Sequence, residues 1–277
     1  MTALVLPCLA AAFVWWASTG VLFWRMGLGQ ATHALTVAAT TAAMGGAMLA
    51  LLALRPETGA PAAYAGFLCG IAIWAWHEAL FLTGYIGGPR RGPCPEGLST
   101  WRRFCVSTEV VIYHEMAIAA HAVLIVALSW GAENMVAMWT FLLLWGMRIN
   151  AKLVVFLGAP NISGELLPRH LSYLSTYFGR RRITAFFPLF ITAATAAATA
   201  LTYAALLSAP ASGGQVGLTL LAALAWLAVL EHWALVLPLP DRALWRWTQQ
   251  GSPGRKPDWP LAPPMNKSKK IGGSHGL

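Results

Sequence analysis

The chain has 277 residues, of which 57% are hydrophobic and only 10% are charged. An ordinary soluble domain is about 25% charged, so this composition excludes a soluble enzyme and a soluble DNA-binding module. Nineteen Lys and Arg residues against ten Asp and Glu residues give a net charge of +9. In a membrane protein such an excess marks the cytoplasmic loops rather than a nucleic-acid partner.

Seven apolar segments are long enough to cross a bilayer. At about 1.5 Å per residue, a helix of about 20 residues spans a hydrocarbon core of roughly 30 Å. The sequence therefore predicts an all-α integral membrane protein, a bundle of seven transmembrane helices. The expected spans are approximately residues 5–24, 34–54, 64–85, 109–130, 134–157, 184–207 and 216–237.

The basic residues predict the orientation of this bundle. Sixteen of them fall on the side shared by the 25–33, 86–108 and 158–183 loops and the C-terminal tail, whereas Arg55 alone lies on the other side. The remaining two, Arg148 and Lys152, lie inside the fifth span. Because basic loops stay in the cytoplasm, we expect the N-terminus outside and the C-terminus inside.

Two segments on the cytoplasmic side are expected to have structure of their own. Residues 167–178 begin with Pro168 near the first helical position and carry an apolar, aromatic face, which predicts an interfacial helix. Residues 241–247 could form a short interface helix. From residue 251 the chain is rich in Pro, Gly, Ser and Lys, so we expect a transmembrane domain over 1–250 and a disordered basic tail over 251–277.

Ten ionisable residues lie within the expected spans. A charged side chain at mid-membrane costs roughly 2.5 to 3.5 kcal/mol even on the lenient insertion scale, so these residues must meet one another or a cofactor. They are His77 and Glu78 in the third span, Glu109, His114, Glu115 and His121 in the fourth, Arg148 and Lys152 in the fifth, and Glu231 and His232 in the seventh.

Several of these residues are expected to form one polar layer in the cytoplasmic half of the bundle. Four of them lie about 8 to 14 Å below the cytoplasmic ends of their spans: His77, His114, Arg148 and Glu231. On the third span His77 and Glu78 share a face with Phe81, and Arg148 and Lys152 are stacked four residues apart.

Three interpretations of this layer remain open. In the first, Glu78, Glu115 and Glu231 pair with Arg148 and Lys152, and one net negative charge is left. In the second, the same three glutamates and neighbouring histidines bind a di-iron or similar metal centre, although no HExxH motif is present. In the third, a neutral histidine ligates haem iron or chlorophyll magnesium between aromatic side chains. The candidate cofactor ligands are His77, His114, His121 and His232.

Several short motifs are spread between about residues 10 and 247. They are FVWWASTG at 13–20, WHE at 76–78 with TGYIGGPRR at 83–91, YHE at 113–115, RINAK at 148–152 with GAPN at 158–161, and LEHW at 230–233 with LPLP at 237–240. Their combination resembles the PuhE family, the photosynthetic complex assembly proteins of purple phototrophic bacteria.

The resemblance implies an integral protein of the bacterial inner, photosynthetic intracytoplasmic membrane. It also implies a role in forming the reaction centre and light-harvesting complex and an influence on bacteriochlorophyll supply or insertion. Its partners would be lipid, reaction-centre and light-harvesting subunits, or other assembly factors. The alternative hypothesis is a membrane metal-dependent, di-iron-like oxidoreductase acting on a tetrapyrrole or lipid. A proton or ion carrier is a third class.

Overall fold

Seven long helices make up most of the protein, and all seven are long and apolar enough to cross a membrane. The computed structural model describes residues 2–161, 167–179, 183–237 and 244–249. The predicted all-α, seven-helix architecture is confirmed, whereas the expected disordered tail at 251–277 lies outside the described residues. The helices are α1 Thr2–Gly27, α2 His33–Ala53, α3 Ala60–Leu82, α4 Thr100–Ser129, α5 Val136–Leu157, α6 Phe186–Leu207 and α7 Gly213–Ala234.

Several helix ends differ from the prediction by a few residues, and local capping explains two of them. Helix α4 begins nine residues before the expected Glu109, where the Ser99 hydroxyl accepts a hydrogen bond from the Arg102 backbone N–H. With 30 residues, α4 is about 45 Å long and exceeds the hydrocarbon thickness. Helix α3 ends at Leu82 rather than Tyr85, because Gly84 adopts a left-handed backbone with φ of +78°.

Helices α3 and α7 form the buried centre of the bundle, and the other helices are arranged around them. Helix α3 packs on α2, α5 and α7, while α7 also packs on α1 and α6. The outer surface is apolar, as shown by Leu49 and Val123, which are 70% and 72% exposed. Such side chains are suited to contact with lipid.

A folded segment covers one end of α4, on the side predicted to be cytoplasmic. The segment expected as an interfacial helix is a 3-10 helix over Arg169–Tyr177. Its apolar side chains Leu171, Leu174 and Tyr177 are buried against Val106 and Val110 of α4. The expected helix is therefore present but shorter, and its apolar face contacts protein because α4 extends far enough to receive it.

The loop after α3 lies directly against the backbone of α4. The His114 backbone N–H donates to the Gly87 carbonyl oxygen, with an N–O distance of 2.9 Å. A Cβ atom at Gly88 would collide with the carbonyl oxygen of Glu109. Glycine is required here because only a residue without a side chain allows the two backbones to approach this closely.

The last described residues pack on α1. A 3-10 helix covers Arg246–Gln249, which overlaps only the end of the expected 241–247 helix; residues 241–243 lie outside the described residues. The ring of Trp245 lies 5.7 Å from that of Trp15 and 5.5 Å from that of Phe23, between centroids. The segment after α7 therefore returns to the first helix through aromatic contacts.

The close approach of Gly87 and Gly88 to the backbone of α4 gives a test of the fold. Replacing Gly88 with Ala forces the loop away from α4, and overpacking of this kind costs roughly 1 to 3 kcal/mol, so we expect a lower melting temperature in detergent. Gly92, in the same loop, has open space around its Cβ position, and Gly92→Ala is the matched control. Equal melting temperatures for the two variants would contradict the close approach.

Candidate functional site

The centre of the polar layer is an ion pair between α5 and α3. The Arg148 guanidinium binds both carboxylate oxygens of Glu78: Nε donates to Oε1 at 3.1 Å, and Nη2 contacts Oε2. The Glu78 side chain is 7% exposed and that of Arg148 is 45% exposed. A bidentate pair of this kind satisfies the carboxylate and fixes its orientation, so it holds α3 and α5 in one rotational register.

A second ion pair joins α5 to α4 one turn away. The Lys152 ammonium contacts Glu115 Oε1, and the Trp145 indole N–H donates to Glu115 Oε2 at 3.2 Å. Lys152 also lies 5.8 Å from the Phe81 ring centroid. Because Arg148 and Lys152 are four residues apart on α5, one face of this helix reaches both α3 and α4.

Three histidines lie beside the ion pairs. The His77 ring centroid is 4.8 Å from that of His121 and 6.3 Å from that of His114. His77 and His114 are each 1% exposed, and their four ring nitrogens have no hydrogen-bond partner among the described residues. Phe81 stacks on His114 at 4.7 Å, and Phe141 lies 5.8 Å from His77.

The two predicted residues on α7 have different positions. Glu231 is exposed, lies within electrostatic range of Arg148 and approaches Trp15 of α1. It takes part in none of the ion pairs between described residues. His232 is 1% exposed, and its Nδ1 hydrogen-bonds to the Ala228 carbonyl oxygen at 2.7 Å. The structure therefore brings Glu231 to the edge of the layer and leaves His232 apart from the other histidines.

Polar contacts also connect the layer to the covering segment. Glu109, expected at the start of its span, lies ten residues into α4 and binds Arg90 Nε at 2.8 Å. This hydrogen bond raises the pKa of the Arg90 guanidinium. The Tyr177 hydroxyl donates to the Gly92 carbonyl oxygen at 2.7 Å, and burial raises the pKa of this phenol.

Two of the three predicted metal ligands face cations in this structure. Glu78 faces Arg148 and Glu115 faces Lys152. Across the residues that the structure describes, no group of three or more His, Cys, Asp or Glu side chains has a geometry that could hold a metal ion. His77 and His114, whose ring nitrogens have no hydrogen-bond partner among the described residues, thus lie beside the ion-paired Glu78 and Glu115.

Sequence analysis named Trp145 only as an aromatic neighbour and did not predict two contacts of the site, the hydrogen bond from Trp145 to Glu115 and that from the His114 backbone to Gly87. Trp145 lies three residues before Arg148, and this spacing could have placed it on the same face of α5. The Gly87 carbonyl accepts a hydrogen bond from the His114 backbone N–H. No sequence pattern predicts this contact, because it joins two segments that are distant along the chain.

Comparison with known proteins identifies the family. The family described as "Protein of unknown function (DUF3623)" matches residues 1–256. The chain belongs to this family. It is also similar to the "Uncharacterized 30.4 kDa protein in puhA 5'region" of Rhodobacter capsulatus, with 36% identity over 246 residues, covering 87% of this chain and 89% of the relative. No solved structure gives a significant match.

The Arg148–Glu78 pair can be tested by stability measurements. Arg148→Met leaves the buried Glu78 carboxylate without its cation, and we expect the free energy of unfolding in detergent to fall by roughly 3 to 5 kcal/mol. The double variant Arg148→Met with Glu78→Leu should recover most of this loss, because both charges are then removed. Arg90→Gln, at a pair in which both side chains are partly exposed, is the control and should change stability less, because no carboxylate is left buried. A double variant as unstable as the single one would contradict this explanation.

Proposed function

We propose that the protein is an integral membrane assembly factor for the photosynthetic reaction centre and light-harvesting complex, influencing bacteriochlorophyll supply or insertion. The observation that carries the proposal is the relative named for its place in the puhA 5′ region, which is consistent with a photosynthesis gene cluster. The motifs shared with the PuhE family support the same pathway. The partners are reaction-centre and light-harvesting subunits or other assembly factors, in the inner, intracytoplasmic membrane.

The polar layer is the functional centre in this proposal. The ion pairs Arg148–Glu78 and Lys152–Glu115 join α3, α4 and α5 and hold these helices in a fixed arrangement. The histidines His77, His114, His121 and His232 are the candidate ligands for a tetrapyrrole. An uncharged imidazole offers a nitrogen lone pair to a metal, and unpartnered nitrogens are present in this layer.

Gene deletion tests the assembly role. In a purple phototrophic bacterium that encodes the protein, deletion should lower the reaction-centre and light-harvesting absorbance per milligram of membrane protein. The wild-type gene should restore it, whereas an Arg148→Met gene should restore it incompletely because the α3–α5 register is lost. Immunoblots against the protein control for its amount. Unchanged absorbance in the deletion strain would exclude the role.

Purification of the wild-type protein separates this proposal from the oxidoreductase. Metal analysis and an absorption spectrum are recorded on the same preparation. Two irons per chain without pigment would indicate a metal-dependent oxidoreductase and overturn the assembly proposal.

The proposed orientation has its own test. With the C-terminus inside, a C-terminal green fluorescent protein fusion should be fluorescent and a C-terminal alkaline phosphatase fusion inactive. A single Cys at Glu57, in the α2–α3 loop, introduced into a variant without native cysteines, should react with a membrane-impermeant maleimide in intact cells. A non-fluorescent green fluorescent protein fusion, an active alkaline phosphatase fusion and no labelling at position 57 would show that the orientation is the reverse of the proposed one.

A further inference from the structure

The four candidate histidines differ in whether a ligand can reach them. His77, His114 and His232 are each 1% exposed, so their ring nitrogens are sealed inside the bundle. His121 is partly exposed and borders the outer face of α4, where Met116 and Leu124 are 61% and 44% exposed. A ligand dissolved in the lipid can therefore approach His121 without opening the helix bundle.

The His121 ring is also available to act as a metal ligand. A neutral imidazole carries a lone pair on one ring nitrogen and can offer it to a metal. Within the described residues no side chain hydrogen-bonds to this imidazole, and the Trp76 ring lies 5.2 Å away as an aromatic wall.

The surroundings of His121 favour one chemical class of ligand. A bare metal ion needs several protein ligands, and no group of three or more suitable side chains is arranged for one within the described residues. A metal at the centre of a tetrapyrrole already has four ligands from the ring and takes one more from the protein. Such a molecule is also flat and apolar, which suits entry from lipid beside Trp76.

We propose that His121 is the axial ligand for a metal-centred tetrapyrrole that binds from the lipid at the outer face of α4. This inference rests on the proposed function and narrows its four candidate histidines to one. His77 and Trp76, at 4.8 and 5.2 Å from His121, position the imidazole from the side of α3. A ring nitrogen of His121 would donate its lone pair to the metal, and the outer face of α4 would supply an apolar surface for the ring.

Zinc protoporphyrin IX is the probe, because its zinc takes one axial ligand and its Soret band shifts to the red when that ligand is an imidazole. The full chain in mild detergent should bind about one zinc protoporphyrin IX with this shift. His121→Ala should weaken binding at least tenfold and remove the shift. Free imidazole added to His121→Gly should restore the shift, which a purely structural role of His121 would not produce.

Two controls make the outcome decisive. His33→Ala should bind like the wild type, because His33 lies at the start of α2 beside His170 and outside the polar layer, and metal-free protoporphyrin should bind the wild type and His121→Ala equally. The inference is overturned if His121→Ala binds zinc protoporphyrin IX like the wild type, or if imidazole fails to rescue a folded His121→Gly. Circular dichroism verifies the fold of each variant.

The two proposals can fail separately. If zinc protoporphyrin IX does not bind while the deletion strain loses its complexes, the His121 site is wrong and the assembly role stands. If the probe binds through His121 while the deletion strain keeps its complexes, the tetrapyrrole site stands and the assembly role is wrong.

Discussion

The cost of placing charge inside a membrane is the constraint on which this structure depends. Helix α5 carries two cations within an apolar span, and each would be unfavourable in hydrocarbon on its own. Arg148 meets Glu78 on α3, and Lys152 meets Glu115 on α4. Each pair therefore acts on two helices at once, so that rotation of α5 by even one residue would separate a cation from its carboxylate. The rotational register of three helices follows from two contacts.

Much of the architecture could be predicted because apolar length is a direct consequence of bilayer thickness. The seven helices occur where the sequence indicates them, but their ends do not all agree. The start of α4 at Thr100 depends on the Ser99 cap and on the packing of Leu171 and Leu174 against this end of the helix. An apolar-run criterion finds the part of a helix that meets lipid and overlooks the part that is stabilised by protein contacts.

Sequence predicted which residues belong to the candidate site better than it predicted how they are arranged. Residue type and depth bring the ionisable residues to one level, and spacing on a helix shows which share a face. Which acid meets which base depends on the rotation of separate helices, and sequence alone left Glu78, Glu115 and Glu231 equivalent. The structure separates them, since Glu231 lies at the edge of the layer and is exposed. Burial, which distinguishes His121 from the three sealed histidines, likewise depends on tertiary packing.

The division between paired charges and unpartnered imidazoles suggests how one layer can hold the fold and still bind a ligand. Glu78 and Glu115 are matched by cations, so the histidines beside them are not needed as counter-ions. A buried polar group without a partner costs roughly 1 to 3 kcal/mol, and a fold that served stability alone would gain by replacing His77 and His114 with apolar residues. In the proposed function, retaining His77 at that cost is explained by its contact with His121, which is partly exposed at the outer face of α4.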